Sequence, residues 1–424
     1  MTIHVVSPGE TVDSIAAKYG VAPKQLAADN DLPPGLALAV GQTLVVRFPR
    51  EIHVVTRGET LTSIAERYGT SVRQLWRNNW SLGGGADLTA GQLLVVSYFG
   101  EKIGEGVFNG YAYPFISPEL LAEQLPYLSA MAPFTYGITA EGGLLPLDDE
   151  AMLEAARARG TKPVMHLSTL TEAGQFDTGR ATFVLTDYEV QGRLAAEVLQ
   201  TVLRKDFAGL DVDFEYLPGQ LAGAYAAFLG RLRQLLAAQG RFLWAALAPK
   251  TSTRQRGLLY EGHDYAAVAA AVDGVLLMTY EWGYTYGPPM AVAPLPNVRA
   301  VLDYAVTQMP AGKIFLGVPN YGYDWPLPFI QGETRAQSIS NQRAIELAVQ
   351  YGEPIQYDET AQSPFFHYTD AGGTAHEVWF EDARSMDAKL RLVAEYGFQG
   401  AGFWNLMRPF SQVWLVLDSL YDIE

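Results

Sequence analysis

A segment near the front of the chain occurs twice. IHVVSPGETV (residues 3–12) returns as IHVVTRGETL (residues 52–61), an offset of 49 residues. The register continues through Ser14, Ile15 and Ala16 against Ser63, Ile64 and Ala65, then Tyr19 and Gly20 against Tyr68 and Gly69. Gln25 and Leu26 match Gln74 and Leu75, and Asn30 matches Asn79. Gly41 and Gln42 meet Gly91 and Gln92 one residue out of step, as a longer loop in the second copy requires. A repeat of this size is one supersecondary unit built twice. Each copy predicts a short strand, a turn opening a helix, a glycine at the left-handed helix cap, a second short helix and a closing strand over 43–47 or 93–97.

From about residue 100 the period changes. Apolar runs at 107–113, 130–137, 163–167, 210–216, 243–248, 274–280, 314–319 and 400–405 alternate with amphipathic helical patterns. Eight strands alternating with helices predict a (β/α)8 TIM barrel, with a doubly wound open sheet as the alternative. Residues 355–380 break the alternation and read as a small antiparallel β insertion with a turn at Gly372 and Gly373. The expected fold class is therefore α/β: a TIM barrel over 101–424, carrying that insertion, preceded by two small βααβ units over 1–48 and 51–98. An insertion between strand seven and the last helices walls the barrel mouth, so a cleft is expected there.

Charge and cysteine usage exclude several functions. Formal net charge is −16. Residues 1–98 hold eight basic and eight acidic side chains, so the whole excess lies in the barrel region. An acidic large domain argues against nucleic acid or an anionic membrane as partner. With no cysteine, disulfides, thiolate nucleophiles and Cys-ligated zinc are excluded. The six histidines show no HExxH spacing, and neither a metal nor a cofactor is expected. From Met1 onward no basic region precedes an apolar run, and no stretch approaches the length of a membrane span, so no signal peptide or span is expected.

The chemistry concentrates in one strand. Asp211, Asp213 and Glu215 are spaced two apart and share a face, while Leu210, Val212 and Phe214 share the other. The apolar face packs against the helices of a barrel, so the acids point inward and climb toward its mouth. Carboxyls stacked in a barrel interior repel one another and lose hydration, and stability alone would not select them. Such a cluster suits a shared proton and a carboxyl held ready as an acid. Acids that coordinate a metal or meet arginines are the competing reading.

At these residues two resemblances become specific. The repeats resemble LysM modules, a family that binds N-acetylglucosamine-containing glycans. The resemblance implies sugar contacts near Gly9, Thr11 and Asn30 in the first unit and near Gly58, Thr60 and Asn79 in the second. Trp76 and Trp80 could stack on sugar or serve as core. GLDVDFE (209–215) resembles the signature of glycoside hydrolase family 18. MTYE (278–281), GVPNYG (317–322) and Phe403-Trp404 fall where that family places its other marks. With two LysM units in front, the chain resembles the spore cortex-lytic N-acetylglucosaminidases.

The resemblance implies retaining, substrate-assisted hydrolysis, in which the sugar's own acetamido oxygen is the nucleophile. Glu215 would be the proton donor, Asp213 the partner of the acetamido N–H, Asp211 the group sharing a proton with Asp213, and Tyr280 a donor to the acetamido oxygen. Trp404 would floor the site, with Met278, Glu281, Tyr111, Tyr136 and Tyr321 as further substrate contacts. The chain departs from the family at Ala208, where an acid is usual, and at Glu281, where many chitinases carry Asp. The expected substrate is peptidoglycan or another N-acetylglucosamine polymer, met by a monomer at the spore coat, cortex or cell wall. A chitinase and a non-catalytic glycan binder are the alternatives.

Overall fold

The computed structural model describes residues 1–424 apart from positions 34, 36 and 172. Each repeat is one strand–helix–helix–strand unit. The first runs through Thr2–Val5, Val12–Tyr19, Pro23–Asp29 and Thr43–Val46. The second runs through Pro49–Val54, Leu61–Tyr68, Val72–Asn78 and Leu93–Tyr98. In both, the two strands pair antiparallel. Thr11 and Thr60 cap the first helices through reciprocal bonds with Ser14 and Ser63. Gly20 (φ 67°) and Gly69 (φ 64°) end those helices in the left-handed conformation that the repeat predicts.

Each repeat has a small core of its own. Ile15, Ala16, Leu26, Leu44 and Val46 fill the first, and Leu61, Ile64, Ala65, Leu75 and Leu94 fill the second. Units of this size bury too little to stand firmly alone. The remaining apolar surface joins the barrel: Val45 and Trp80 belong to the same cluster as Tyr127, Trp414 and Leu417. Gly41 shows how close the docking is, since a Cβ there would lie 1.9 Å from the Ile355 carbonyl oxygen.

Eight parallel strands form the barrel: Gly104–Ala112, Ala130–Pro133, a third in two pieces (Lys162–Pro163 and Met165–Ser168), Gly209–Asp213, Phe242–Leu247, Gly274–Leu277, Ile314–Pro319 and Gly400–Trp404. They pair in chain order, and the eighth pairs with the first. The two pieces of strand three close the ring, one on strand two and the other on strand four. Every predicted barrel strand is present. Four are shorter than their apolar runs, because strands two, four, six and eight end at Pro133, Asp213, Leu277 and Trp404.

The insertion is larger than its alternation suggests. Its antiparallel sheet has five strands, ordered Gln337–Ile339, Gly322–Pro326, Ala375–Trp379, Ser363–Thr369 and Gln356–Asp358. The first two were hidden because Gly322–Pro326 follows strand seven almost without a break.

Candidate active site

Alternation along strand four sorts its side chains by chemistry. Leu210 and Val212 are fully buried in the helix-facing core. Asp211 and Asp213 point into the barrel and are buried as well. Tyr111 donates its hydroxyl to Asp211 Oδ2 at 2.7 Å and accepts from Asn109 Nδ2 at 3.0 Å. Asp211 Oδ1 and Asp213 Oδ1 are buried without a hydrogen-bond partner among the described residues. Glu215 lies just past the strand end rather than on it, a correction to the predicted 210–216 run. The chain turns there: Phe214 stacks on Tyr225, its carbonyl accepts from His263 Nε2 at 2.9 Å, and Tyr216 takes φ 55°. That turn carries the third carboxyl out of the barrel interior into the cleft.

The cleft holds about 660 Å³ and is lined by Asp213, Glu215, Met278, Tyr280, Glu281 and Trp404, with Tyr113, Phe134, Phe176 and Tyr260 among the aromatic walls. Trp404 meets Phe134 edge-on, ring centres 4.8 Å apart, and lines the cleft. Glu281 takes φ 66°, a conformation costly for a non-glycine residue. Its carboxylate accepts from the Tyr321 hydroxyl and, at 3.0 Å, from the Tyr323 hydroxyl.

Burial dominates the electrostatics. It pushes the Asp211 carboxyl up to about 6, against the lowering effect of the Tyr111 hydrogen bond. Burial, then the Glu215 and Asp211 carboxylates, raise Asp213 well above the usual range. Burial also raises Glu215, to about 7, and the Glu281 carboxylate adds to that rise. A carboxyl still protonated near neutral pH, with room for a ligand beside it, is suited to general acid chemistry.

Other expected contacts lie elsewhere. Tyr136 is buried on the helix side, donating to Asp149 Oδ2 at 2.8 Å and packing on Phe207. Strand two ends before it, so the inward alternation does not reach residue 136. Tyr111 and Tyr321 hold Asp211 and Glu281 and are not among the cleft-lining residues. The amides of Asn30 and Asn79 are buried and occupied. Each donates to two backbone carbonyls and accepts from the backbone N–H of Val45 or Val95. Those side chains tie a helix to the closing strand instead of facing a ligand. Gly9, Thr11, Gly58 and Thr60 are exposed. Trp80 is core, its indole N–H donating to Asp31 Oδ1 at 2.7 Å. Asp206 faces solvent and pairs with Arg241, so it does not replace the acid missing at Ala208.

Sequence reasoning passed over His166. It faces the same interior as Asp211, one strand away in direct register. The signal was available, because Val164, His166 and Ser168 alternate inward just as the acids do.

Comparison with known proteins agrees with this architecture. Residues 169–408 match glycosyl hydrolases family 18, and residues 4–47 and 53–97 each match the LysM domain. The chain is 41% identical over 429 residues to the cortical fragment-lytic enzyme of Bacillus subtilis (strain 168), covering 100% of this chain and 99% of that one. Among solved structures it is similar to the Bacillus cereus spore cortex-lytic enzyme SleL, with a TM-score of 0.83, 35% identity and coverage of 100% and 98%. A chitinase from Chromobacterium violaceum ATCC 12472 matches with a TM-score of 0.68 at 27% identity, over 74% of this chain and 98% of its own. The chain belongs to glycoside hydrolase family 18 and is an enzyme of that family bearing two LysM domains at its front.

Proposed function

We propose that this enzyme hydrolyses peptidoglycan, the glycan of the spore cortex in particular, cutting after N-acetylglucosamine and working at the spore or cell wall. The observation that carries the reading is similarity across the whole chain, both LysM domains included, to enzymes named for lysis of spore cortex. Among the described residues no helix is long and apolar enough to cross a membrane, and wall attachment falls to the LysM pair.

In the proposed reaction Glu215 protonates the glycosidic oxygen while the substrate's acetamido oxygen attacks the anomeric carbon. The C–O bond to the leaving sugar breaks, and an oxazolinium ion forms. Asp213, as a carboxylate, accepts the acetamido N–H and stabilises the positive charge that develops there. Tyr280, on the wall of the cleft, donates its hydroxyl to the acetamido oxygen. Glu215, now ionised, takes a proton from water, which opens the ring with overall retention.

An acid must be protonated to act, so activity is expected to fall as pH rises through about 7, the value to which Glu215 is raised. Replacing Glu281 by glutamine removes a negative charge that favours protonated Glu215, and should move this basic limb to lower pH. The pH dependence of kcat/KM on soluble glycan fragments measures it. A limb that stays in place would remove Glu281 from the acid's environment.

Similarity to a chitinase over the barrel region favours a second substrate, chitin. Mass spectrometry of digests from cortex peptidoglycan, vegetative peptidoglycan and chitin separates the two. The expected products are muropeptides with N-acetylglucosamine at the reducing end, released fastest from cortex. Chitin oligomers as the main product would replace peptidoglycan by chitin as the substrate.

A further inference from the structure

The Asp213 carboxyl is short of donors. Asp211 lies two residues before it on the same strand and Glu215 two residues after, just past the strand end. Tyr280, beyond the end of strand six, Tyr225, on the helix Ala222–Ala237, and Tyr111, bonded to Asp211, are further titratable groups near it. These neighbours are acids or phenols. Among the described residues an N–H donor stands nearby in His166, whose Nε2 lies 3.7 Å from Asp213 Oδ2. That distance is too long for a formed hydrogen bond and short enough to become one with a small turn of the carboxyl.

His166 itself is tightly held. It is 1% exposed, with its ring against Phe134 (centres 4.8 Å apart) and the edge of Tyr111 (5.5 Å). Burial drives its pKa down to about 3, so the imidazole is neutral and owns one N–H and one lone pair. Which nitrogen carries the proton is set by the partner of the other. Nδ1 lies 2.6 Å from Thr135 Oγ1. Such a separation fits a hydroxyl donor better than an N–H donor. With the Thr135 hydroxyl donating to Nδ1, the ring proton sits on Nε2 and faces Asp213. The opposite arrangement has Thr135 donating to the Tyr136 carbonyl, 3.0 Å away, and turns a bare lone pair toward the carboxylate.

We propose that His166 is a positioning residue for Asp213: its Nε2–H, directed by Thr135, holds the Asp213 carboxylate inward until the substrate's acetamido N–H replaces it. The inference rests on the reading of Asp213 given above. It assigns work to two residues, one on strand three and one just past strand two, that touch no substrate themselves. Loss of the N–H leaves Asp213 among the acids and phenols named above without that donor, and it then keeps its proton to higher pH. The acid limb of the pH profile therefore moves up, while the basic limb, set by Glu215, stays.

The test measures kcat, KM and the pH profile on soluble peptidoglycan fragments for His166→Leu, His166→Gln, Thr135→Val and Thr135→Ser. His166→Leu and Thr135→Val are expected to lower kcat by about 10–100-fold, the worth of one hydrogen bond to a charged group, with KM little changed. Both should raise the acid limb by roughly one pH unit. His166→Gln restores an N–H donor and Thr135→Ser restores the hydroxyl, so both should keep the acid limb near its original place. If His166→Leu does not fold, the glutamine and Thr135 variants decide the question. An acid limb unmoved in both His166→Leu and Thr135→Val would overturn the proposal, as would a glutamine variant no better than leucine. Asp213→Asn serves as the reference. Loss of activity there with an unmoved His166→Leu profile defeats this inference alone, whereas full activity in Asp213→Asn defeats the reading of Asp213 itself.

Discussion

Replacing Glu215 by glutamine is expected to lower kcat on peptidoglycan fragments by about 10³–10⁴-fold, since one side chain serves as acid in the first step and base in the second. The substitution is nearly isosteric and disturbs little. Glu215 lies beyond the last hydrogen-bonded residue of strand four and lines an open cleft, so thermal stability should hold. An aryl glycoside, whose leaving group needs no proton, should retain much more of its first-step rate than a sugar leaving group does. That contrast separates loss of the acid from general damage to the site. A variant keeping a tenth of the original rate on natural glycan would remove Glu215 from the role.

The largest structural effect is expected at Arg47. Its guanidinium is buried where both repeats meet the barrel. It pairs with Asp29 at 3.2 Å and Asp418 at 3.8 Å, and donates to the carbonyls of Arg77 at 3.2 Å and Asn78 at 3.4 Å. The Tyr98 ring lies 4.1 Å below it. Asp29 sits in the first repeat, Arg77, Asn78 and Tyr98 in the second, and Asp418 on the last barrel helix, Ser411–Leu420. Arg47→Ala removes the buried counter-charge of Asp29 and one of two cations beside Asp418, the other being Lys102 at 3.7 Å, a change that costs about 3–5 kcal/mol. By contrast Arg67→Ala breaks an ion pair with Glu59 whose arginine is largely exposed, and should cost no more than about 1 kcal/mol. Thermal unfolding followed by tryptophan fluorescence and circular dichroism should show one transition, shifted down as a whole in Arg47→Ala. An unchanged main transition, with only a small early step, would mean that the repeats melt independently of the barrel.

This bears on any truncation. Removing residues 1–98 uncovers Trp414 and Leu417, which share a core with Val45 and Trp80. A deletion variant with reduced activity therefore reports lost stability as well as lost binding. Substitution of the exposed Thr11 and Thr60 by serine, which keeps the helix caps, probes binding more cleanly.

Local periodicity made much of the chain legible. The repeat offset announced two like units, and the caps at Gly20 and Gly69 followed from glycine's tolerance of positive φ. Two-residue alternation placed Asp211 and Asp213 on one inward face of a barrel strand, since a strand's side chains have no other way to divide. Those features depend on near neighbours in the chain.

Alternation could not say where a strand stops. Strand two ends at Pro133 and strand four at Asp213, so Tyr136 turned outward and Glu215 left the stack. Nor could it distinguish an asparagine facing sugar from one spent on a neighbouring strand, as Asn30 and Asn79 are. The sequence by itself determined two repeated units, an eight-stranded barrel and a carboxyl-bearing strand at its centre. Tertiary structure alone decided that the repeats share a core with the barrel, that Arg47 joins all three, and that His166 stands beside Asp213. The division has one physical cause: backbone geometry repeats every few residues, whereas burial, charge pairing and pKa depend on groups that meet only when the chain closes on itself.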